Sequence, residues 1–297
     1  YDVNKTTNVT DQNSADFGPV GWRRLGQDID GEAAGDYSGG SVSISADGQT
    51  VAIGALFNDA TGSDAGHVRV YKYDVNKTTN VTDQNSADFG PVGWRRLGKD
   101  IDGEAAGDNS GRSVSLSSDG HTVAIGAFLN DGTGADAGHV RVYEYDVNKT
   151  TNVTDQNSAD FGPVGWRRLG QDIDGEATGD YSGISVSISA DGQTVAIGAH
   201  FNDGTGSNTG HVRVYEYDVN KTTNVTDQTS ADFGPVGWRR LGKDIDGETT
   251  NDWSGFSVSL SSDGQTVAIG AYKNDGTGSD AGDVRVYKYD VNKTTNV

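Results

Sequence analysis

A period of 72 residues governs this sequence. Tyr1-Asp2-Val3-Asn4-Lys5-Thr6-Thr7-Asn8-Val9 returns at Tyr73, Tyr145, Tyr217 and Tyr289, so residues 1–72, 73–144, 145–216 and 217–288 are four repeats and 289–297 open a fifth. The four copies agree in 54 of their 72 columns. Such a period marks one supersecondary unit that buries its apolar faces only against its neighbours, which narrows the fold more than length or composition does. A finer alternation, Gln27, Lys99, Gln171, Lys243 and Ile44, Leu116, Ile188, Leu260, points to a two-repeat unit that was itself duplicated.

Inside one repeat the apolar residues follow a period of two. Ser41-Val42-Ser43-Ile44-Ser45 alternates, Asp47-Gly48 supplies the positive backbone dihedrals of a tight hairpin, and Thr50-Val51-Ala52-Ile53-Gly54-Ala55 returns. The polar run Asn58 to Gly66 reads as a loop, and His67-Val68-Arg69-Val70-Tyr71-Lys72-Tyr73 as a third strand. Gly21-Trp22-Arg23-Arg24-Leu25-Gly26 reads as a fourth. No stretch carries the 3.6-residue period of a helix. In the third strand Val68 and Val70 face one side while Arg69, Tyr71 and Tyr73 face the other, as a sheet covered on both sides requires. The expected class is therefore all-β: tandem four-stranded antiparallel blades of β-propeller type, with the four repeats forming one domain. An open linear or superhelical β-array fits the same pattern.

Composition closes several routes. No apolar run approaches the ~18 to 20 residues that cross a bilayer as a helix. There is no Cys, hence no disulfide and no thiolate chemistry, and the formal charge of −20 disfavours nucleic acid. Neither a signal peptide nor an initiating Met opens the sequence, so a mature form or a segment is expected.

The stretch SG-x-SVSISADGQTVAIGA, followed by NDG-x-G and GHVRVY, resembles the FG-GAP type of repeat that builds integrin α-chain propellers. The resemblance covers about 35 residues of each unit. It implies a propeller-like fold and an adhesive or ligand-binding role. FG-GAP hairpins usually carry an acidic calcium loop, whereas this one is the short Ala46-Asp47-Gly48-Gln49, closer to the hairpins of WD-repeat and TolB-like propellers. The insert from Asp74 to Gly93 has no counterpart in those families.

Two motifs point to chemistry. Asn-x-Thr occurs nine times, at Asn4, Asn8, Asn76, Asn80, Asn148, Asn152, Asn220, Asn224 and Asn292, always in the insert and nowhere else. That density suggests paired N-linked glycans on every unit; the alternative is a polar loop amplified with its repeat. The second motif is Asp28-Ile29-Asp30-Gly31-Glu32-Ala33-Ala34-Gly35-Asp36, whose carboxylates alternate around a glycine as in oxygen-ligand calcium loops. Its copies are Asp100, Asp102, Glu104, Asp108; Asp172, Asp174, Glu176, Asp180; and Asp244, Asp246, Glu248, Asp252. The alternative is a solvated acidic turn. Asn58-Asp59 to Asp64 is a weaker cation candidate.

Catalytic signatures are missing. His67, His139 and His211 are equivalents of one another and become Asp283 in the fourth copy, which reads as a surface or hydrogen-bonding position. Near-identical repeats also supply near-identical environments, whereas acid–base catalysis needs carboxylates pushed apart in pKa. Trp22, Trp94, Trp166 and Trp238 read as blade core, with a sugar-stacking platform as the alternative.

The leading functional expectation is a structural subunit of an extracellular, glycosylated filament or surface appendage, with copies of itself as partners. The absence of Cys and Met removes the most oxidisable side chains, which suits a durable exposed material. The alternative is a calcium-dependent adhesion propeller that binds a carbohydrate or cell-surface ligand. Columns such as Gly40, Arg112, Ile184, Phe256 would then form its rim. A propeller-scaffold hydrolase stands third, and no enzymatic activity is expected.

Overall fold

A computed structural model of the chain describes residues 2–12, 14 and 16–293. Among the described residues the fold is all-β, with eighteen strands and no helix. The chain forms two compact units, residues 1–30 with 71–97 and residues 31–70 with 98–297.

In the smaller unit the last residues of β3 (His67–Tyr73) pair antiparallel with β4 (Trp94–Arg96), Tyr71 opposite Arg96 and Tyr73 opposite Trp94. The Trp94 indole donates to the Leu25 carbonyl at 2.9 Å.

The larger unit begins with β1 (Ser41–Ile44), β2 (Thr50–Ala55) and the first residues of β3, against which β5 (Ile101–Asp102) pairs. A second sheet holds β6 (Ser113–Leu116), β7 (Thr122–Ala127) and β8 (His139–Tyr145). Its central strand β8 takes β9 (Trp166–Arg168) along one end and β10 (Ile173–Asp174) along the other. The third sheet repeats this plan with β11 (Ser185–Ile188), β12 (Thr194–Ala199), β13 (His211–Tyr217), β14 (Trp238–Arg240) and β15 (Ile245–Asp246). The fourth holds β16 (Ser254–Leu260), β17 (Thr266–Ala271) and β18 (Asp283–Lys288).

Tandem antiparallel blades are thus what the period-two pattern forms. One refinement is that a sheet is not one sequence repeat: its Trp strand and its Ile-Asp strand come from the following repeat. The two-residue Ile-Asp strand is not expected from the sequence, because two residues are too short to show a period. The central strand carries the signature that made a two-sided sheet the expectation. All of His139 to Tyr143 is buried, on both faces.

Burial on both faces requires a neighbour on each side. Val140 and Val142 of the second sheet pack with Val186 and Ile188 of the third, and Trp238 closes the same core. Val212 and Val214 of the third then meet Val267 and Ile269, with Val258 and Leu260 packed alongside. Hydrogen bonds stitch the stack at its turns. Ala46 N donates to Ser118 O, Ser118 N to Ala190 O and Ala190 N to Ser262 O, each at 2.9 Å.

The hairpins are held by side chains as well as by glycine. Ser189 Oγ donates to Asp191 Oδ1 at 2.5 Å and accepts from Thr194 N at 2.9 Å. The positive φ falls on Gly192 alone, at 74°, so the turn needs one left-handed residue rather than the pair expected of the tightest hairpins.

Glycine matters most where sheets approach. A Cβ on Gly198 would collide with the Gly255 carbonyl of the next sheet, while Gly270, its equivalent in the fourth sheet, meets only its own sheet's Ser257. Gly198→Ala is therefore expected to cost about 1–3 kcal/mol through overpacking. Gly270→Ala, with the same Ser contact but no facing carbonyl, stays within a fraction of that. Urea titration of the two variants against the parent measures the difference; equal losses would mean that sheet approach does not limit these positions.

Candidate functional site

The insert is an ordered module. In its second copy Asp74 N bonds to Gly93 O, Gly93 N to Lys77 O, and Val81 bridges Gly90. Lys77 is buried, and its Nζ donates to Thr79 O at 2.7 Å and Gly90 O at 2.6 Å. Lys149 and Lys221 repeat this arrangement on Thr151 and Gly162 and on Thr223 and Gly234. Burial pushes all three amines below their usual range. The first arginine of each pair fastens the insert from outside, Arg167 reaching Asp146 at 2.6 Å and Asp160 at 3.0 Å.

All nine sequon asparagines, Asn4, Asn8, Asn76, Asn80, Asn148, Asn152, Asn220, Asn224 and Asn292, are exposed, the first eight of them on this frame. The lysine between the paired asparagines points inward while they point outward. Thr294, the last residue of the ninth sequon, lies outside the described residues.

The acidic loop is divided rather than gathered. Its first carboxylate turns to two arginines, one from the preceding repeat and one from its own: Asp172 lies 3.3 Å from Arg141 Nε and 2.5 Å from Arg168 Nη1, and Asp244 pairs with Arg213 and Arg240 in the same way. Its Glu pairs instead with the arginine that follows in its own repeat, Glu32 with Arg69, Glu104 with Arg141 and Glu176 with Arg213. Its last carboxylate caps backbone amides and takes a bond from a buried asparagine, Asp108 from Asn130 at 3.1 Å and Asp180 from Asn202 at 2.9 Å. Asp36 and Asp252 do likewise with Asn58 and Asn274. In the smaller unit Asp28 pairs with Arg24 at 3.0 Å. Glu248 lies 3.7 Å from Arg285.

Carboxylates of two successive loops thereby meet one histidine. Glu32, His67, Asp100; Glu104, His139, Asp172; and Glu176, His211, Asp244 each place their ligand atoms within 4.8 Å of one another. The spacing matches a metal site, yet Arg69, Arg141 or Arg213 stands among the donors in each. The histidines are buried, which removes the surface position from the two expected of them, surface or hydrogen-bonding. Burial, aided by Arg213, drives His211 down to about 3, and His67 is lowered for the same reasons.

The carboxylates split in pKa within a loop. Burial alone would raise Asp172, but Arg141, His139 and Arg168 outweigh it and hold the group below the usual carboxylate range. Asp244 behaves alike, whereas Asp174 and Asp246 are raised by burial. Environments thus differ between neighbours in one loop, and at the last carboxylate between repeats as well, Asp180 being raised by burial and Asp252 lowered, burial there being outweighed by its hydrogen bonds. The sequence signal for the cluster was an arginine at the centre of an otherwise apolar, two-sided strand.

The columns that vary converge on a third feature. Tyr181, His200, Phe201, Trp253, Phe256 and Tyr272 form a continuous aromatic group, with ring centroids 4.1 to 5.8 Å apart. Lys273 Nζ lies 4.1 Å over the Trp253 ring, and Phe256 and Tyr272 are exposed. Tyr181 and Trp253 hold left-handed φ of 57° and 58°, an unusual conformation for bulky residues. The repeated tryptophans are different. Trp94, Trp166 and Trp238 are buried as expected of core, while Trp22 is exposed.

The family model for the FG-GAP repeat matches residues 173–215 and 245–287. Each match starts at an Ile-Asp strand, β10 or β15, and runs into β13 or β18, so the similarity to the FG-GAP repeat falls in the third and fourth repeats. No curated protein matches the chain. Among solved structures the chain is similar to TolB from Acinetobacter baumannii, at 14% identity and a TM-score of 0.39, over 84% of this chain and 40% of that one.

His200 yields a pH dependence. Burial, with Arg112 adding to it, lowers it to about 4 from 6.5. The unfolded chain therefore binds the proton first, and stability falls as pH drops from about 6.5 toward 4, by on the order of 3 kcal/mol at the bottom of that window. His200→Phe, which the second repeat already has as Phe128, should remove this loss. Thermal melts at pH 7 and 4.5 are expected to show the variant's advantage growing as pH falls; a constant gap would overturn the assignment.

Proposed function

We propose that the chain is a structural module of an extracellular, glycosylated β-repeat array. The observation that carries this reading is the uniform exposure of all nine sequon asparagines, eight of them on inserts that hold a buried lysine. Two sugars on each insert would stand four residues apart on a fixed frame and shield the sheets beneath. The near-identical interfaces between successive sheets agree with this role. Mass spectrometry of insert peptides from native material is expected to find Asn76 and Asn80 equivalents N-glycosylated; unmodified asparagines would refute the reading.

A second reading, a ligand-binding rim, is favoured by the aromatic group of the third and fourth repeats. Its exposed rings, the Lys273 cation on Trp253 and the strained φ at that column are features found where ligands dock. Carbohydrate, which stacks on aromatic faces, is the class of ligand proposed. In this reading calcium is not needed at the acidic loops, because a guanidinium already balances the carboxylates that meet there. Oligosaccharides titrated against tryptophan emission are expected to give a saturable change that Phe256→Ala and Tyr272→Ala abolish and that a chelator leaves intact. A flat titration removes the rim, and a chelator-sensitive one removes the guanidinium argument.

A further inference from the structure

Three sheet-to-sheet interfaces inside the larger unit are built from one set of contacts. Ser41, Ser113 and Ser185 Oγ donate to the carbonyls of Gly111, Gly183 and Gly255 in the next sheet, at 2.6, 2.8 and 2.8 Å. Leu116, Ile188 and Leu260 N donate back to Ser43, Ser115 and Ser187 Oγ at 2.9, 3.0 and 2.9 Å. Between these bonds, the valines of a central strand meet the Val and Leu or Ile of the next sheet's first strand.

The first and fourth sheets expose the two halves of that same interface. On β1, Val42 and Ile44 are 63% and 61% exposed, where Val114, Leu116, Val186 and Ile188 are all at 9% or below. On β18, Val284 and Val286 are 69% and 65% exposed, where Val140, Val142, Val212 and Val214 are at 8% or below. Beside β18 lies a cleft of about 800 Å³ lined by Leu241, Gly242, Ile245, Leu260, Val267 and Tyr287. Its floor explains its shape. A Cβ on Gly170 would sit 2.7 Å from the Trp238 indole, whereas one on Gly242 would find nothing nearer than Tyr289 at 3.9 Å. The indole is what the cleft lacks, and Trp22 is the one repeat tryptophan left outside, at 62% exposure. Arg285 likewise has no following aspartate of the kind that Arg69, Arg141 and Arg213 find in Asp100, Asp172 and Asp244.

We infer that the β18 face of one copy of this chain docks on the β1 face of a second copy, head to tail. Val42 and Ile44 of the second copy cover Val284 and Val286. The repeat register also supplies the hydrogen bonds: Ser257 Oγ to the second copy's Gly39 O, the second copy's Ile44 N to Ser259 Oγ, and Ser262 N to the second copy's Ala46 O. Such an interface is heterologous, so it propagates from copy to copy rather than stopping at two. The inference rests on the array reading above and names the contact that would build the array.

The test uses the full chain made without glycosylation, so that its outcome is independent of the sugar question. Light scattering across a concentration series is expected to show masses rising beyond the monomer. A tail variant, Val284→Asp with Val286→Asp, and a head variant, Val42→Asp with Ile44→Asp, should each remain monomeric alone. Mixed together they should form a dimer and nothing larger, because one intact head and one intact tail remain. The four positions are exposed, and matching far-ultraviolet circular dichroism and melts confirm that the variants fold. A parent that stays monomeric throughout, or variants that associate as the parent does, would overturn the inference, whatever the glycan analysis returns.

Discussion

The structure depends on burying the central strand of each sheet from both sides. His139 to Tyr143 and His211 to Tyr215 have no solvent-facing side, so neither sheet is stable without a neighbour. Everything else about the repeat serves that contact. Glycines in the Thr-Val-Ala-Ile-Gly-Ala strand admit the next sheet's carbonyl, serines tie adjoining first strands together, and the tryptophan of one repeat closes the cleft left by the glycine of the repeat before it. Burying a strand with an arginine in it has a further consequence. The guanidinium leaves water only where carboxylates surround it, which is why the acidic loops of two successive repeats converge there.

Much of this was legible in the sequence. Period-two alternation gave the strands, Asp-Gly gave the hairpins, and the mixed faces of His67 to Tyr73 called for covering on both sides. The FG-GAP resemblance was read from residues that the family model also matches in the third and fourth repeats. Illegible were features that need two repeats at once. Ile173-Asp174 is a strand only because β8 offers it an edge, and a two-residue strand has no pattern of its own. The fate of Asp172 was hidden for the same reason, since its arginine partner at position 141 belongs to the preceding repeat.

The acidic loop shows that spacing along a chain does not by itself say which side chains meet when the loop lies at a junction. Asp172, Asp174, Glu176 and Asp180 have the sequence spacing of ligands around one cation, but the fold sends them to different neighbours. Asp172 goes back to Arg141, Glu176 goes forward to Arg213, and Asp180 stays with Asn202 and its own backbone. A loop that must join two sheets places its alternate side chains on opposite sides of the joint. Convergence then occurs between loops, not within one, and the residue at the point of convergence is the arginine of the shared strand.

The same constraint explains where the copies differ. A residue at a sheet interface must fit the copy before it and the copy after it, so a change in one repeat is tested against two neighbours. Columns there are fixed or change only between residues of like size, Ile and Leu at Ile44, Leu116, Ile188 and Leu260, Ala and Ser at Ala46, Ser118, Ala190 and Ser262. The column of Gly40, Arg112, Ile184 and Phe256 escapes that test and runs from no side chain to a full ring. Its neighbours, Tyr37, Asn109, Tyr181, Trp253 and Leu56, Phe128, His200, Tyr272, vary as widely and gather into the aromatic group with it. Freedom from the stacking rule is what allows one part of a uniform array to acquire a surface of its own. In this chain the widest variation falls in the aromatic group, while the inserts that carry the sequons stay nearly invariant, each of the second, third and fourth copies being braced by the same lysine and arginine contacts.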